Sequence, residues 1–143
     1  MADSKPKVID AHWALLEEVA RKACANAYTP CSSFPVGAAV LSADGTTAGG
    51  CNVENASFGL TICAERNAIF RAVADGARSI VALIVYTPTD APVMPCGACR
   101  QVLAEFGRDA FVRCICNEPA FTQHTLAELL PGAFVLPRSC AER

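Results

Sequence analysis

Residues 80–86 form the uninterrupted apolar run Ile-Val-Ala-Leu-Ile-Val-Tyr. A strand with one solvent-exposed face alternates apolar and polar residues, so this run is typical of a central strand covered on both faces. Apolar residues at helical spacing over 64–75 and 97–106 predict a helix on either side of it in the chain. We therefore expect an α/β protein with helices packed on both faces of a partly parallel sheet.

The remaining segments extend this pattern over one domain, residues 1–143, with a core of about 10–134 and an irregular tail over 135–143. A Ser-Ala-Asp-Gly turn between two apolar segments indicates a β-hairpin. The other predicted elements are a helix over 10–27, hairpin strands over 36–41 and 47–54, a strand over 110–116 and a helix over 122–130.

Charge and hydropathy exclude several classes of protein. Twelve Lys and Arg against 14 Asp and Glu give a net charge of −2, so a basic nucleic-acid-binding protein is not expected. No apolar segment is long enough to cross a membrane, and the polar start does not resemble a secretory signal, so we expect a cytoplasmic protein. Charged residues make up only 18% of the chain, which suggests surface buried between subunits.

The chain has nine cysteines, an odd number that disulfides cannot pair completely. In a reducing compartment, cysteines serve more often as metal ligands, catalytic groups or buried thiols. Two clusters stand at predicted helix starts: Cys63-Ala64-Glu65-Arg66 and Pro95-Cys96-Gly97-Ala98-Cys99-Arg100. The question is which of these cysteines carry chemistry.

Helix geometry allows the two clusters to form one metal site. Cys96 and Cys99 lie about 60° apart around a helix, whereas Cys63 and Glu65 would diverge by about 200° unless Cys63 precedes its helix. Helix N-termini stabilise thiolates, and three of them leave the fourth position of a Zn²⁺ ion open for water, as in catalytic sites. Such a site has a net charge of about −1, so we expect compensation by Arg66 or Arg100, with Arg66 favoured.

Two other interpretations of the cysteines remain open at this point. A lone C-x-x-C also occurs in redox proteins. A structural zinc site would need a fourth ligand from another cysteine, of which the candidates are Cys24, Cys31, Cys51, Cys114 and Cys116.

The joint occurrence of C-x-E and P-C-x-x-C is the signature of zinc-dependent base deaminases. With this pair of motifs the chain resembles the small cytidine deaminases, from about residue 28 to residue 134. Cysteine at position 63 is the mark of the homotetrameric class. The motifs that carry the resemblance are Phe34-Pro35-Val36-Gly37-Ala38, Cys51-Asn52-Val53-Glu54-Asn55, Cys63-Ala64-Glu65-Arg66, Pro95-Cys96-Gly97-Ala98-Cys99-Arg100-Gln101 and Glu128-Leu129-Leu130-Pro131.

The resemblance implies a three-layer α/β/α sandwich around a mixed five-stranded sheet. It implies one Zn²⁺ per subunit, held by Cys63, Cys96 and Cys99, with Glu65 as the proton shuttle. The implied reaction is the hydrolysis of cytidine and 2′-deoxycytidine to uridine and 2′-deoxyuridine with release of ammonia, within pyrimidine salvage. The substrate would be a small nucleoside and not a nucleic acid polymer.

The resemblance also implies a substrate pocket shared between the subunits of a homotetramer. Phe34 would pack against the pyrimidine, and Asn52 and Glu54 would hydrogen-bond the sugar hydroxyls. Phe58 and Phe134 would close the pocket of a neighbouring subunit. The other implied substrate contacts are Ala56 and Ala64. The chain has Cys31 and Phe58 where the family commonly has tyrosine, which removes two hydroxyl groups.

Other activities share parts of this pattern. An aminonucleoside-antibiotic deaminase has the same zinc motifs, but the Asn52 and Glu54 pair argues against it. A polynucleotide deaminase would need a basic channel, of which the acidic chain shows no sign. A non-catalytic zinc protein would need a fourth protein ligand, and Glu65 beside the site argues against that class.

Overall fold

The computed structural model describes residues 7–137. Its elements, in chain order, are α1 (Asp10–Cys24), β1 (Gly37–Ser42), β2 (Thr47–Cys51), a short 3₁₀ helix (Phe58–Leu60), α2 (Ala64–Ala74), β3 (Ile80–Tyr86), α3 (Gly97–Phe106), β4 (Phe111–Ile115), β5 (Phe121–Thr125) and α4 (Leu126–Leu129). The apolar run over 80–86 is β3, the central strand of five. Every residue of β3 is buried, as predicted.

The five strands form one mixed sheet in the order β2-β1-β3-β4-β5. β3 and β4 pair in parallel through the crossover helix α3, and the other neighbouring pairs are antiparallel. Because β2 and β3 both run antiparallel to β1, α2 connects two strands of the same direction. These two crossovers place the N-termini of α2 and α3 close to each other.

Helices cover the sheet on both sides, which gives three layers. The side chains of Ala82 and Ile84 pack with Leu16 of α1 in one core. Leu83 and Val85 pack on the other face with a second core formed mainly by α2 and α3. The period of two in β3 therefore divides its apolar residues between the two cores.

Two glycines let the helices approach the sheet closely. A Cβ atom on Gly37 would collide with the carbonyl oxygen of Ala20 in α1. A Cβ atom on Gly50 would collide with the backbone nitrogen of Ala68 and lie 2.7 Å from the carbonyl oxygen of Ala64, both in α2. The start of α2, where the first cysteine motif lies, therefore rests directly on β2.

The predicted helix over 122–130 is wrong in its first half. Residues Phe121–Thr125 form β5, which pairs with β4, and only Leu126–Leu129 are helical. Aromatic and β-branched residues favour a strand here, and the pairing with β4 decides the outcome. Thr125 and Glu128 then form a capping box that starts α4, a Thr-x-x-Glu signal that is visible in the sequence.

Other predicted boundaries need smaller corrections. Helix α1 ends at Cys24 and not at residue 27, and β2 ends at Cys51 and not at residue 54. Residues 135–137 have no regular structure, as expected for the tail, and the rest of the tail lies outside the described residues. Within 7–137, no helix has the length and apolar character needed to span a membrane.

Candidate active site

Three cysteine sulfurs meet where α2 and α3 begin. The Sγ atoms of Cys63 and Cys96 lie 3.9 Å apart, and those of Cys96 and Cys99 lie 3.5 Å apart. All three lie within 4.8 Å of one another, and no other such group of possible metal ligands occurs in residues 7–137. Tetrahedral coordination with Zn–S bonds of about 2.3 Å requires sulfurs about 3.8 Å apart. The cluster therefore has the dimensions of a three-thiolate zinc site.

The two cysteine motifs meet because each has a cysteine at the N-cap of its helix. Cys63 caps α2 with extended backbone angles, φ −69° and ψ 154°. Cys96 caps α3 in the same way, with φ −67° and ψ 167°, and Cys99 follows in the first turn. Since Cys63 precedes its helix, its side chain is free of the helical rotation that would turn it away from Glu65. The i, i+2 spacing of Cys63 and Glu65 requires this position if both side chains are to reach one site.

Cys63 and Cys99 differ in their affinity for a proton. A hydrogen bond with Cys99 is the main cause that lowers the pKa of Cys63 to about 5, and the Arg66 guanidinium lowers it further. The same hydrogen bond with Cys63, together with burial, raises the pKa of Cys99. The two shifts therefore favour a proton on Cys99 and the negative charge on Cys63. A bound Zn²⁺ would replace that shared proton.

Of the two arginines beside the ligands, only Arg66 contacts a sulfur. Its Nη2 lies 3.4 Å from Cys63 Sγ, and proximity to Cys63 raises the pKa of the guanidinium. Arg100 turns away, and its guanidinium donates to the carbonyl oxygens of Pro95 at 2.8 Å and Leu129 at 2.9 Å. The positive charge beside the sulfurs thus comes from Arg66.

Glu65 lies beside the sulfur cluster in the first turn of α2, with only 5% of its surface exposed. Burial raises the pKa of its carboxyl to about 7, and the neighbouring Cys63 charge acts in the same direction. A hydrogen bond with Cys99 partly opposes this and places the carboxyl next to the cluster. The site therefore combines three sulfurs with one buried carboxyl group.

Asn52 and Glu54 both support the loop over 31–36. The amide of Asn52 donates to the Phe34 carbonyl at 2.9 Å and accepts from the Val36 N–H at 2.8 Å. The Glu54 carboxylate accepts from the Cys31 N–H at 2.8 Å, and hydrogen bonds, above all with Ser32, lower its pKa. Although β2 ends before them, both side chains point towards the same loop.

An open hollow of about 440 Å³ lies beside this loop. Glu54 and Phe58, two of the predicted substrate residues, line it, and Phe58 is 76% exposed. The remaining lining residues are Cys31, Ser32 and Thr61. Cys31 therefore lies at the hollow itself, with an exposed free thiol.

Three of the other predicted substrate residues lie around this region or at the cluster, and the fourth lies in the segment after α4. Phe34, beside Asn52, is 39% exposed, and Ala56 is exposed in the following loop. Ala64 is fully buried as the first residue of α2, so only its backbone is available to a ligand. Phe134 is 69% exposed, and its carbonyl accepts a hydrogen bond from Gln101 at 3.2 Å.

The profile of the cytidine and deoxycytidylate deaminase zinc-binding region matches residues 13–115. The chain belongs to this deaminase family. Cytidine deaminase of Sporosarcina psychrophila is 52% identical over 115 residues, which are 80% of this chain and 85% of that protein. Cytidine deaminase of Mycobacterium tuberculosis is 41% identical over 134 residues, 94% of this chain and 98% of that one.

A solved structure shows the same family fold. The crystal structure of cytidine deaminase from Burkholderia pseudomallei has a TM-score of 0.80 and 45% sequence identity, and covers 86% of this chain and 98% of that chain. The mixed five-stranded sheet with helices on both faces is thus the fold of cytidine deaminases, as predicted. In this deaminase fold the Cys63, Cys96 and Cys99 cluster fits one zinc ion per chain.

Several contacts of this deaminase site carry no sequence signal. The Glu54 carboxylate and the Arg100 guanidinium bind backbone N–H and carbonyl groups, which every residue type has. Asn67, whose side-chain amide donates to the Cys51 carbonyl at 2.8 Å, connects α2 to the end of β2 in the same way. In none of these pairs does the sequence indicate which backbone group the side chain binds, so the partners could not be identified in advance.

Proposed function

We propose that this chain is a zinc-dependent hydrolase that converts cytidine and 2′-deoxycytidine to the corresponding uridines with release of ammonia, within pyrimidine salvage. The observation that carries this proposal is the buried Glu65 carboxyl group beside three sulfurs at zinc-site distances. Three protein ligands leave the fourth position of the metal open, as in catalytic zinc sites. The family match and the named relatives support the same reaction.

Cys63, Cys96 and Cys99 hold the metal in this proposal. Bound Zn²⁺ supplies Lewis acidity, which makes water a nucleophile near neutral pH. Three thiolates outweigh the charge of one Zn²⁺ by one negative charge, and Arg66, in contact with Cys63 Sγ, offsets it. Arg100, which binds carbonyl oxygens, is not the compensating group.

Glu65 moves the protons. Its carboxylate accepts a proton from the attacking water and delivers it to N3 of the pyrimidine, which makes C4 electrophilic. The water oxygen then bonds to C4. Glu65 next delivers the second water proton to the amino group, the C4–N4 bond breaks, and ammonia leaves. The low exposure of Glu65 keeps bulk water from competing for these protons.

The hollow beside Glu54 and Phe58 receives the nucleoside. Phe34 packs against the pyrimidine, while Asn52 and Glu54 contact the sugar. Glu54 Oε1 accepts one N–H at 3.3 Å, so it retains lone pairs for a sugar hydroxyl. The remaining proposed contacts are Ala56, the backbone of Ala64, and Phe58 and Phe134 at the pocket entrance.

We infer a cytoplasmic homotetramer in which subunits share these pockets. Large apolar side chains near the site support it, since Phe58, Leu60 and Phe134 are 76%, 65% and 69% exposed. Large exposed apolar side chains in such numbers are typical of surfaces that bind another protein. The low fraction of charged residues, 18%, supports the same inference.

The isosteric variant Glu65→Gln tests the proposed reaction. We expect it to keep its zinc and to lose turnover of cytidine by at least about 10²-fold, since the amide cannot shuttle protons. Zinc content by atomic absorption and the loss of cytidine absorbance measure both quantities. Glu105→Gln, an exposed change on α3, is the matched control and keeps full activity.

Full activity of Glu65→Gln would contradict the assigned role. A panel of cytidine, 2′-deoxycytidine, an aminonucleoside antibiotic and a cytosine-containing oligonucleotide tests the substrate class. Turnover of the antibiotic or the oligonucleotide without turnover of cytidine would contradict the proposed substrate.

A further inference from the structure

Arg100 connects two parts of the molecule that the sequence places far apart. We propose that it is a positioning residue that couples the Cys96 end of the metal centre to the segment 129–134, which carries Phe134. This proposal deepens the proposed function and rests on it. The contacts of Arg100 and of its neighbour Gln101 carry the argument.

On the metal side, Arg100 holds the backbone on both sides of Cys96. Its Nε donates to the Pro95 carbonyl at 2.8 Å, and its backbone N–H donates to the Cys96 carbonyl at 3.1 Å. These two carbonyls belong to the peptide groups that enter and leave the Cα of Cys96. The second bond is an ordinary helical one, so the side chain of Arg100 adds the bond to Pro95, which holds the peptide group that enters Cys96.

On the other side, the same guanidinium holds the end of α4. Its Nη1 donates to the Leu129 carbonyl at 2.9 Å, one of the carbonyls that a helix C-terminus leaves without an intrahelical partner. Gln101 then donates from Nε2 to the Phe134 carbonyl at 3.2 Å. Adjacent residues of α3 thus hold both ends of the segment 129–134.

The start of α4 is held independently of Arg100. Thr125 and Glu128 form its capping box, and the Leu126 N–H donates to the Ala110 carbonyl at 2.9 Å. The loss of Arg100 should therefore release the end of α4 and the segment after it while the start stays in place. A local readout can separate this effect from general unfolding.

The two side-chain hydrogen bonds, to the carbonyls of Pro95 and Leu129, require the planar guanidinium of an arginine. A guanidinium is a planar fork that binds two acceptors at fixed directions, whereas a lysine ammonium is a single point charge. Arg100 is half-buried, and within residues 7–137 it forms no ion pair that would explain it otherwise. Its carbonyl contacts are thus its main interactions, and they join the metal ligand to the segment of Phe134.

The test compares zinc release and local hydrogen exchange in the zinc-loaded enzyme. For Arg100→Lys we expect release to a chromogenic chelator at least about 10-fold faster, as for other residues that orient metal ligands. We also expect faster amide exchange over 130–134, with exchange over 80–86 unchanged. Cytidine kinetics should show a raised KM together with a lowered kcat.

Two variants serve as comparisons. Gln101→Met should speed exchange near Phe134 and leave zinc release unchanged, because it removes only the Phe134 bond. Arg78→Lys is the matched control, since Arg78 also donates to two carbonyls, those of Val73 and Ala77, away from the cysteines. It should change neither measurement.

Unchanged zinc release, or unchanged exchange over 130–134, in Arg100→Lys would overturn the coupling. If that variant folds incompletely by circular dichroism, the same two measurements on Arg100→Gln, which reaches only one carbonyl, decide the question. Neither measurement needs turnover. A wild-type enzyme that fails to deaminate cytidine would therefore refute the proposed function, while the coupling result would stand separately.

Discussion

Glu54 shows how one side chain can hold a whole loop, the one over 31–36, through its backbone N–H groups. Its carboxylate receives backbone N–H groups of Cys31 and Ser32, and these donors lower its pKa. A lowered pKa in the folded protein means that the carboxylate stabilises this loop above its ordinary pKa. The stabilisation is lost as the pH falls through the lowered value. Near neutral pH the loop is therefore fully held.

The variant Glu54→Gln tests this support. The amide oxygen can accept one N–H, but the amide NH₂ then faces a second donor, so the loop loses a charge-assisted contact. We expect KM for cytidine to rise about 10-fold, with a smaller change in kcat. A hydrogen bond to a charged group contributes about 1.5–3 kcal/mol, and the variant loses one such bond. Steady-state kinetics beside the exposed control Glu118→Gln measure it. An unchanged KM would contradict the role of Glu54.

At the scale of elements, the closeness of α2 to the sheet decides where the metal ligands lie. Gly50 leaves no room for a Cβ atom against Ala64 and Ala68 in α2. Any side chain at this position must push the start of α2 outward. Because Cys63 caps α2, such a shift also moves one sulfur of the cluster.

We expect Gly50→Ala to lower the free energy of unfolding by about 1–3 kcal/mol, the usual effect of overpacking. Chemical denaturation measures this loss, and zinc content should fall with it. Gly59→Ala is the matched control, because a Cβ there meets no atom within 4 Å. Equal stability of the two variants would contradict the packing argument.

The metal joins two helices at their N-termini, so its removal should weaken the fold. We expect complete chelation to lower the melting temperature by about 5 °C or more, because zinc binds only the folded arrangement. Differential scanning calorimetry before and after chelation measures the change. Cys96→Ala, which lacks a ligand, should melt at the same temperature with or without chelator. An unshifted wild-type transition would exclude a structural contribution of zinc.

The elements that the sequence predicted best have a single strong signal. The apolar run of β3 and the helical period of α3, with Gly107 beyond its end, predicted both elements at their observed bounds. The segment 122–130 failed because β5 is an edge strand with weak periodicity, and its pairing with β4 is a tertiary effect. The cysteine motifs predicted the metal cluster, because helix geometry limits where such side chains can meet. The carbonyl partners of Arg100 could not be predicted, because every residue has a backbone carbonyl group.

At the scale of the whole molecule, two of the most exposed apolar side chains lie at or beside the proposed pocket. Phe58 and Leu60, at the ends of the 3₁₀ helix, project into solvent from one chain. The proposed tetramer would cover them and close the hollow, which is open in the single chain. Substrate binding and assembly would then depend on the same residues.

We expect the wild-type protein to sediment at four times the chain mass of 15.0 kDa. Phe58→Ser should lower this mass and raise KM for cytidine, because it removes apolar contact area at the interface. Phe111→Ser, at the amino end of β4 and outside both the hollow and the metal cluster, should leave both unchanged. A wild-type mass near one chain would contradict the tetramer and the shared pocket.

The two cysteine motifs start helices that pack on the central sheet, whereas the hollow is formed by loops outside it. If the hollow takes the nucleoside as proposed, substitutions at its exposed loop residues would change the fit of the substrate, while the metal ligands stand at helix starts and not in this loop. The hydrolytic centre and the choice of substrate could then diverge independently during evolution. The same separation makes loop exchange a practical route for engineering deaminases with new nucleoside preferences on this scaffold.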